Sequence, residues 1–288
     1  MNEIERAWAA HRRRVFDVGY RMLGTVSDAD DVVGETYLRL TRHGIDDIED
    51  PEAWLVTVAA RVSLDRLRSE ARRATYVGPW LPEPIVSSAS PEDRVTLDDS
   101  VHMALLIVVQ HLSPAERTSF LLHDVFGLSF AEIAGVVGRS EPACRQLAAR
   151  ARRRVALARP SRAAQPHADL EAVARRFATA CRTGRLDDLV AVLDPDVVGD
   201  FDSGGVVPGA PTAELEGAQS VATQLIRSLH HPGVGFNVTQ VNGEPGIVVV
   251  VHDTVAAVIA LTYAAGRVAQ IHAIGNPAKL AHVSLERD

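Results

Sequence analysis

The chain has 288 residues, a formal net charge of −7 and 47% hydrophobic residues. That length predicts two or three domains with ordinary cores, and the acidity excludes a nonspecific nucleic-acid coat. No apolar run is long enough to span a bilayer, no signal pattern opens the chain, and Cys144 and Cys181 lie far apart, so a reduced, cytoplasmic protein with no Cys/His metal site is expected.

Charge is unevenly placed along the chain. Residues 1–76 carry −2, 77–110 carry −4, 111–160 carry +4 and 161–288 carry −5. A nucleic-acid contact is therefore expected within 111–160, where eight Arg stand against four acidic residues. Of the 30 basic residues only Lys279 is not Arg, a bias that suits bidentate phosphate and guanine contacts.

Residues 2–23 read as one helix with Trp8, Val15, Phe16, Gly19 and Leu23 near one face, ended by Gly24. Ser27 is the expected cap of the next helix, whose apolar stripe is Ala29, Val33, Tyr37 and Leu40. Asp28, Asp31 and Glu35 share its opposite face. Spacing alone favours dipole compensation and solubility there over an acidic docking surface. After the loop 43–50, a third helix starts at Asp50-Pro51, with Leu55, Val58, Ala59 and Val62 inward. Trp54, Arg61, Asp65, Arg68 and Arg72 form an adjacent stripe. Such a stripe can bind an unpaired strand by stacking and phosphate contact, but spacing alone favours Trp54 as a core anchor and Asp65 as a tether for Arg61 or Arg68.

Residues 75–99 break all periodicity, with Pro79, Pro82, Pro84 and Pro91 among acidic residues, which marks a linker. Within it Trp80-Leu81-Pro82-Glu83-Pro84 is anomalous, because an apolar Trp-Leu pair needs a surface to cover it. Ser113-Pro114-Ala115-Glu116 is a capping box that opens a helix, and Ser129 with Glu132 makes a second. Phe130, Ile133 and Val137 then recur at helical spacing up to Gly138. The following helix has Ala143, Cys144, Leu147, Ala151 and Val155 on one face. Arg145, Gln146, Ala149, Arg152 and Arg153 lie opposite, with Arg150 on the flank. This is the layout of a helix-turn-helix, whose apolar stripe docks on the preceding helix while its basic stripe enters the major groove.

After a short linker, helices are expected over 168–193 and from Gly217 to Leu229. The runs GIVVVVHD, TVAAVIALTYAAG and RVAQIHAIG read as strands parted by turns such as Asn242-Gly243 and Ala265-Gly266. An α+β domain follows from that order.

Six stretches resemble the extracytoplasmic-function group of bacterial RNA polymerase sigma factors, and within it the members with a fused C-terminal SnoaL-like domain. DADDVVGETYLRL is similar to the helix that grips the β′ coiled coil of core RNA polymerase, with Gly34 where members commonly carry Gln. AWLVTVAARVSLDRLRS resembles the −10 helix, and LSFAEIAGVVGRSEPACRQLAARARRR the −35 helix-turn-helix. Trp80-Leu81-Pro82-Glu83-Pro84 is similar to the linker signature of the fused-domain group. Asp202-Ser203-Gly204-Gly205-Val206 and Asn276-Pro277-Ala278-Lys279-Leu280 are similar to its two C-terminal motifs, with Ser203 and Val206 in place of the usual Gly and Lys.

The resemblance implies a multidomain protein. It has a helical region 2 domain (1–76), an acidic Pro-rich linker (77–99), a helical region 4 domain (100–160), a second linker (161–167) and an α+β, cone-shaped SnoaL-like regulatory domain (168–288). It implies polymerase contact through Asp28, Asp31 and Glu35, with the β subunit also a partner. It implies −10 contact through Arg61, Arg68, Arg72 and Arg73, with the loop before Pro51 holding an extruded base. It implies −35 contact through Arg145, Gln146, Ala149, Arg150, Arg152 and Arg153. Trp80, Leu81, Pro82, Asp202, Gly204, Gly205, Asn276, Pro277 and Lys279 become expected regulatory residues. They would serve an intramolecular contact of the C-terminal domain with the sigma core. The acidic linker would suit a route through the polymerase's basic channel.

The function expected is promoter-specific transcription initiation, with no catalysis, cofactor, metal or membrane partner, and with a ligand of the C-terminal domain left open. Two alternatives stand beside it. One is a one-component helix-turn-helix regulator with a ligand-sensing tail, which leaves residues 1–75 unexplained. The other is a cyclase or isomerase with Asp200, Asp202, His252 or His272 as general base, although spacing pairs none of them with a partner.

Overall fold

The computed structural model describes residues 2–69, 76–87, 102–158 and 166–284. The chain divides into two compact units, residues 1–71 with 105–158 and residues 72–104 with 159–288.

The first unit is helical. Helix α1 (Glu3–Leu23) begins in a capping box between Asn2 and Glu5 and ends at Gly24, whose φ of 82° closes it on Tyr20 O. Helix α2 (Val26–His43) is capped by Thr25, whose hydroxyl accepts from Asp28 N at 3.2 Å, and not by Ser27. Thr25 follows the helix-ending Gly24 directly and is extended, so Ser27 already lies inside the helix. Helix α3 spans Pro51–Ser69. A Cβ on Gly19 would stand 3.0 Å from Ala29 Cα, which shows how closely α1 and α2 cross.

Helix α4 (Met103–Gln110) leads into α5 (Pro114–Phe120), which opens with the Ser113/Glu116 box and runs into a π-turn over Leu121–Val125. Helices α6 (Phe130–Val137) and α7 (Glu141–Ala158) form the hairpin, turning at Gly138 with φ 71°. Val15, Val18, Leu55 and Leu64 share one core with Phe126, Ile133 and Cys144. The two helical segments read as separate domains are therefore one unit here. Arg117 strengthens the join, since its buried guanidinium donates to Met22 O at 2.5 Å and to Gln110 Oε1 at 2.8 Å. Phe126 lies under the guanidinium groups of Arg14 and Arg21, at 5.3 and 5.8 Å from its ring centre.

The second unit is α+β. Its strands are β1 (Val86–Ser87), β2 (Leu193–Asp202), β3 (Leu215–Glu216), β4 (Val234–Val241), β5 (Glu244–Val251), β6 (Thr254–Ala264) and β7 (Arg267–Ile274). They form one sheet in the order β1-β4-β5-β6-β7-β2-β3, antiparallel except for the β2/β7 pair. Helices α8 (His167–Thr183), α9 (Leu186–Val192) and α10 (Ala218–Leu229) cover it. Helix α8 packs on β4 and β5, and α10 on β2. The short helix α11 (Pro277–Leu280) sits against β6.

Three tight hairpins join β4 to β7, with left-handed backbone at Asn242-Gly243, His252-Asp253 and Ala265-Gly266. The sheet's edge strand β1 comes from the segment read as linker, and Leu81, Pro82, Glu83 and Pro84 are buried in this unit. Of that expected linker, residues 88–99 lie outside the described residues, as do residues 161–165 of the second.

Candidate functional site

Helix α7 presents the expected basic face. Cys144, Ala148, Ala151 and Val155 are buried under it, and Arg145, Gln146, Arg150, Arg152 and Arg153 are exposed, with Ala149 half-buried between them. Arg145 pairs with Glu141 and lies 5.5 Å over the Phe130 ring, and Arg152 Nε is 2.7 Å from Asp124 Oδ1. These pairs tether two of the exposed guanidinium groups to neighbouring acidic side chains. Ala148, not singled out from the sequence, completes the buried stripe.

Arg61 and Arg68 are exposed on α3, and both face α6. Arg68 Nη2 donates to Val137 O at 3.1 Å, and a Cβ on Gly135 would stand 3.8 Å from Arg61 Nη2. Asp65 lies 3.9 Å from Arg68, and Trp54 is half-buried beside His43 at 5.2 Å between rings. Arg72 and Arg73 lie outside the described residues.

Asp28 and Asp31 converge on one cation. Arg66 Nη1 is 3.3 Å from Asp28 Oδ1 and 3.0 Å from Asp31 Oδ2. Glu35 pairs with Arg39 at 2.9 Å. Asp31 is exposed, while Asp28 and Glu35 are half-buried, so the acidic face is partly neutralised by its own helices.

The densest polar cluster is in the second unit and joins the linker to both C-terminal motifs. Asp202 ends β2 and is buried. Its Oδ2 accepts from Leu81 N at 2.8 Å and from Lys279 Nζ at 2.6 Å. Its Oδ1 accepts from the Tyr76 hydroxyl at 2.5 Å and from Gly204 N at 3.2 Å. Lys279 also donates to Leu81 O, and its ammonium lies 4.1 Å from the Trp80 ring centre and 4.9 Å from that of Tyr76.

Asn276 caps α11 through Ala278 N, is followed by Pro277 at the first helical position, and donates from Nδ2 to the Tyr76 hydroxyl at 2.8 Å. A Cβ on Gly204 would stand 2.5 Å from Asn276 Nδ2, and one on Gly205 would stand 3.0 Å from Val77. Only glycine fits this left-handed turn against the linker. Burial and the hydrogen bond to the Asp202 carboxylate push the Tyr76 hydroxyl well above its ordinary pKa, which keeps it a donor. Further along the linker, Asn242 exchanges two bonds with the Ile85 backbone.

Tyr76, Asn242, Arg117 and Phe126 were not singled out from the sequence. Tyr76 and Phe126 carry no motif of their own. In the sequence Asn242 reads as a turn residue and Arg117 as part of a capped helix.

Of the four candidate general bases, Asp200 and His272 meet and Asp202 and His252 stand apart from them. Asp202 is committed to the clamp, and His252 is exposed in the β5–β6 turn. His272 Nδ1 meets Asp200 Oδ2 at 3.2 Å on the sheet face opposite Phe201 and Ala273. Nearby Glu214 is pushed up by burial and by the Asp200 and Glu216 charges, with His272 opposing.

The chain matches the Sigma-70 region 2 family over residues 7–73 and the Sigma-70 region 4 family over 102–155. It is 39% identical over 282 residues to the probable ECF RNA polymerase sigma factor SigI of Mycobacterium tuberculosis, covering 96% of this chain and 94% of that one. It is 40% identical over 245 residues to the ECF RNA polymerase sigma factor SigJ of the same organism, covering 82% and 78%. The crystal structure of SigJ superposes with a TM-score of 0.76 at 34% identity, over 94% of this chain and 95% of that one. The helices of the first unit and the α+β second unit thus recur in a solved relative, and the chain belongs to the extracytoplasmic-function RNA polymerase sigma factors, the alternative sigma subunits of transcription initiation.

Proposed function

We propose that this sigma factor reads promoters through two arginine-bearing helices and that its C-terminal domain regulates it through the linker. Helix α7 presents Arg145, Gln146 and Ala149 to base edges of the −35 element, with Arg150, Arg152 and Arg153 on phosphates. Helix α3 presents Arg61 and Arg68 to the −10 element, with Arg72 and Arg73 following. Asp28, Asp31 and Glu35 dock on the β′ coiled coil of core polymerase, where charge-assisted pairs with a basic partner set orientation. Arg66 yields Asp28 and Asp31 to that partner. Arg68 is held by Val137 O at the end of the first hairpin helix. Reading two separate promoter elements requires that hold to release.

The observation that carries the regulatory reading is the double grip on Leu81. Its N–H is held by Asp202 and its C=O by Lys279, so both backbone groups of one linker residue are fixed by the C-terminal domain. A linker fixed in this way limits how the segments on either side of it can be placed on a polymerase. The test is run-off transcription with core polymerase by the parent, by Trp80→Ala and by Asn276→Ala. The reading expects at least one variant to transcribe differently from the parent at equal core binding, with altered salt dependence. Equal activity of all three would leave the clamp a purely structural feature.

A further inference from the structure

The C-terminal domain contains a cavity of about 260 Å³ between the sheet and helix α10. Its walls include Phe201, Leu225, Leu229, Val249 and Ile259, and Val207 stands at its rim, 40% exposed. Apolar cavities smaller than this one take up benzene-sized molecules. The single acidic residue in the wall, Asp202, turns its carboxylate to the linker and is neutralised there by Lys279. The cavity therefore offers no free charge to balance an ionic ligand, while Ser203 and Ser228 supply hydroxyl groups.

The loop after β2 has two sides. Asp202, Ser203 and Val207 form cavity wall, and Gly204 and Gly205 abut Asn276, Tyr76 and Val77. Asp202 belongs to both sides, since it and Gly275 are wall residues joined by a bond from Gly275 N to Asp202 O at 2.8 Å, and its carboxylate holds Leu81. Val206 and Val207 are among the few large apolar side chains exposed among the described residues, and both lie on this loop. An apolar occupant would cover such residues at the rim.

The geometry points to a binding site for an uncharged, largely apolar small molecule of fused-ring size with one hydrogen-bonding group, whose occupancy is relayed through residues 202–207 to the Leu81 clamp. The relay half rests on the regulatory reading of the clamp, and the binding half does not. A ligand that fills the cavity orders the loop, and an ordered loop lowers the frequency with which the Asp202–Lys279 pair opens.

The test uses the full chain and 2-naphthol as probe. Calorimetric titration is expected to show saturable one-site binding, weakened at least tenfold by Ala257→Leu, which fills the cavity, and by Val207→Glu, which charges its exposed rim. Lys279 is the only lysine in the chain, so its modification by N-hydroxysuccinimide acetate, followed by peptide mass spectrometry, reports clamp opening directly. Saturating 2-naphthol is expected to slow that modification at least threefold. Absent binding, or binding that neither substitution weakens, would overturn the cavity assignment. An unchanged Lys279 rate at saturation would overturn the relay. Neither assay contains polymerase or DNA, so each can fail while the transcriptional reading stands.

Discussion

Lys279 and Asp202, 77 residues apart, form an ion pair of 2.6 Å whose side chains are 7% and 0% exposed. Taking two charges out of water is costly, and the pair persists because every partner it needs is present: the Leu81 backbone, the Tyr76 hydroxyl, Gly204 N and two aromatic faces. Removing one partner leaves the other charge buried alone. Lys279→Met is therefore expected to destabilise the C-terminal domain by about 3–5 kcal/mol, and adding Asp202→Asn is expected to recover much of that loss. Urea unfolding of the two single variants and the double checks this. Additive losses would show that the two residues do not act as a pair.

Glu116 gives a pH dependence with a defined sign. Burial alone would push its carboxyl up, but bonds from Ser113 N and Oγ and the nearby Arg154 and Arg150 charges outweigh it and hold the group below its ordinary value. A carboxyl lowered in the folded state contributes stability that is fully present above its unfolded pKa of about 4.3 and is lost as pH falls through the lower folded value. Glu116→Gln is expected to lower the melting temperature at neutral pH and to lose that deficit in acid below about pH 4. A deficit independent of pH would mean that the charge of Glu116 does not matter.

Most of the local cap and turn chemistry is legible in the sequence. The Ser113/Glu116 and Ser129/Glu132 boxes, the stops at Gly24 and Gly138 and the hairpin turns at Asn242-Gly243 and Ala265-Gly266 all stand as their residues predict. The His252-Asp253 turn escaped notice because it reaches φ of 47° and 61° without glycine. Thr25 escaped because two hydroxyl residues compete near one helix start. The clamp is a different case. Leu81 and Asp202 are 121 residues apart, and no periodicity links them; only the family resemblance placed both motifs among the regulatory residues. The shared helical core was hidden for a related reason, since Arg117 reads as an ordinary surface residue of a capped helix until Met22 O is found beside it.

Polymerase docking is expected to depend on Asp31 and Glu35. Reversing both to Arg should weaken capture of core enzyme at least tenfold with little change in thermal stability, since exposed ion pairs such as Arg39–Glu35 contribute under about 1 kcal/mol. Gly34 between them is exposed, and a Cβ there would meet nothing within 4 Å, so Gly34→Gln fits without strain and is expected to strengthen capture. Unchanged capture by the double reversal would remove this face from the docking surface.

The two kinds of arginine on α7 are expected to separate by promoter sequence. Arg145 is held by Glu141 and Phe130 near the start of the helix, where a recognition helix meets base edges, and Arg153 is exposed about two turns further on, toward the helix end. Loss of a bidentate base contact costs about 1–3 kcal/mol at one base pair, whereas loss of a phosphate contact weakens every sequence and reduces the salt slope by about one. Arg145→Ala should therefore flatten the preference at a single −35 position, seen by run-off transcription on a set of promoters mutated one base pair at a time. Arg153→Ala should lower all of them together and make initiation less sensitive to salt. Removing the Glu141 charge offers a control, because Glu141→Gln frees Arg145 from its intrahelical pair without touching the guanidinium, and it should leave the sequence preference in place. If Arg145→Ala and Arg153→Ala lower every promoter variant by the same factor, the division between base-reading and phosphate-holding arginines on this helix is wrong.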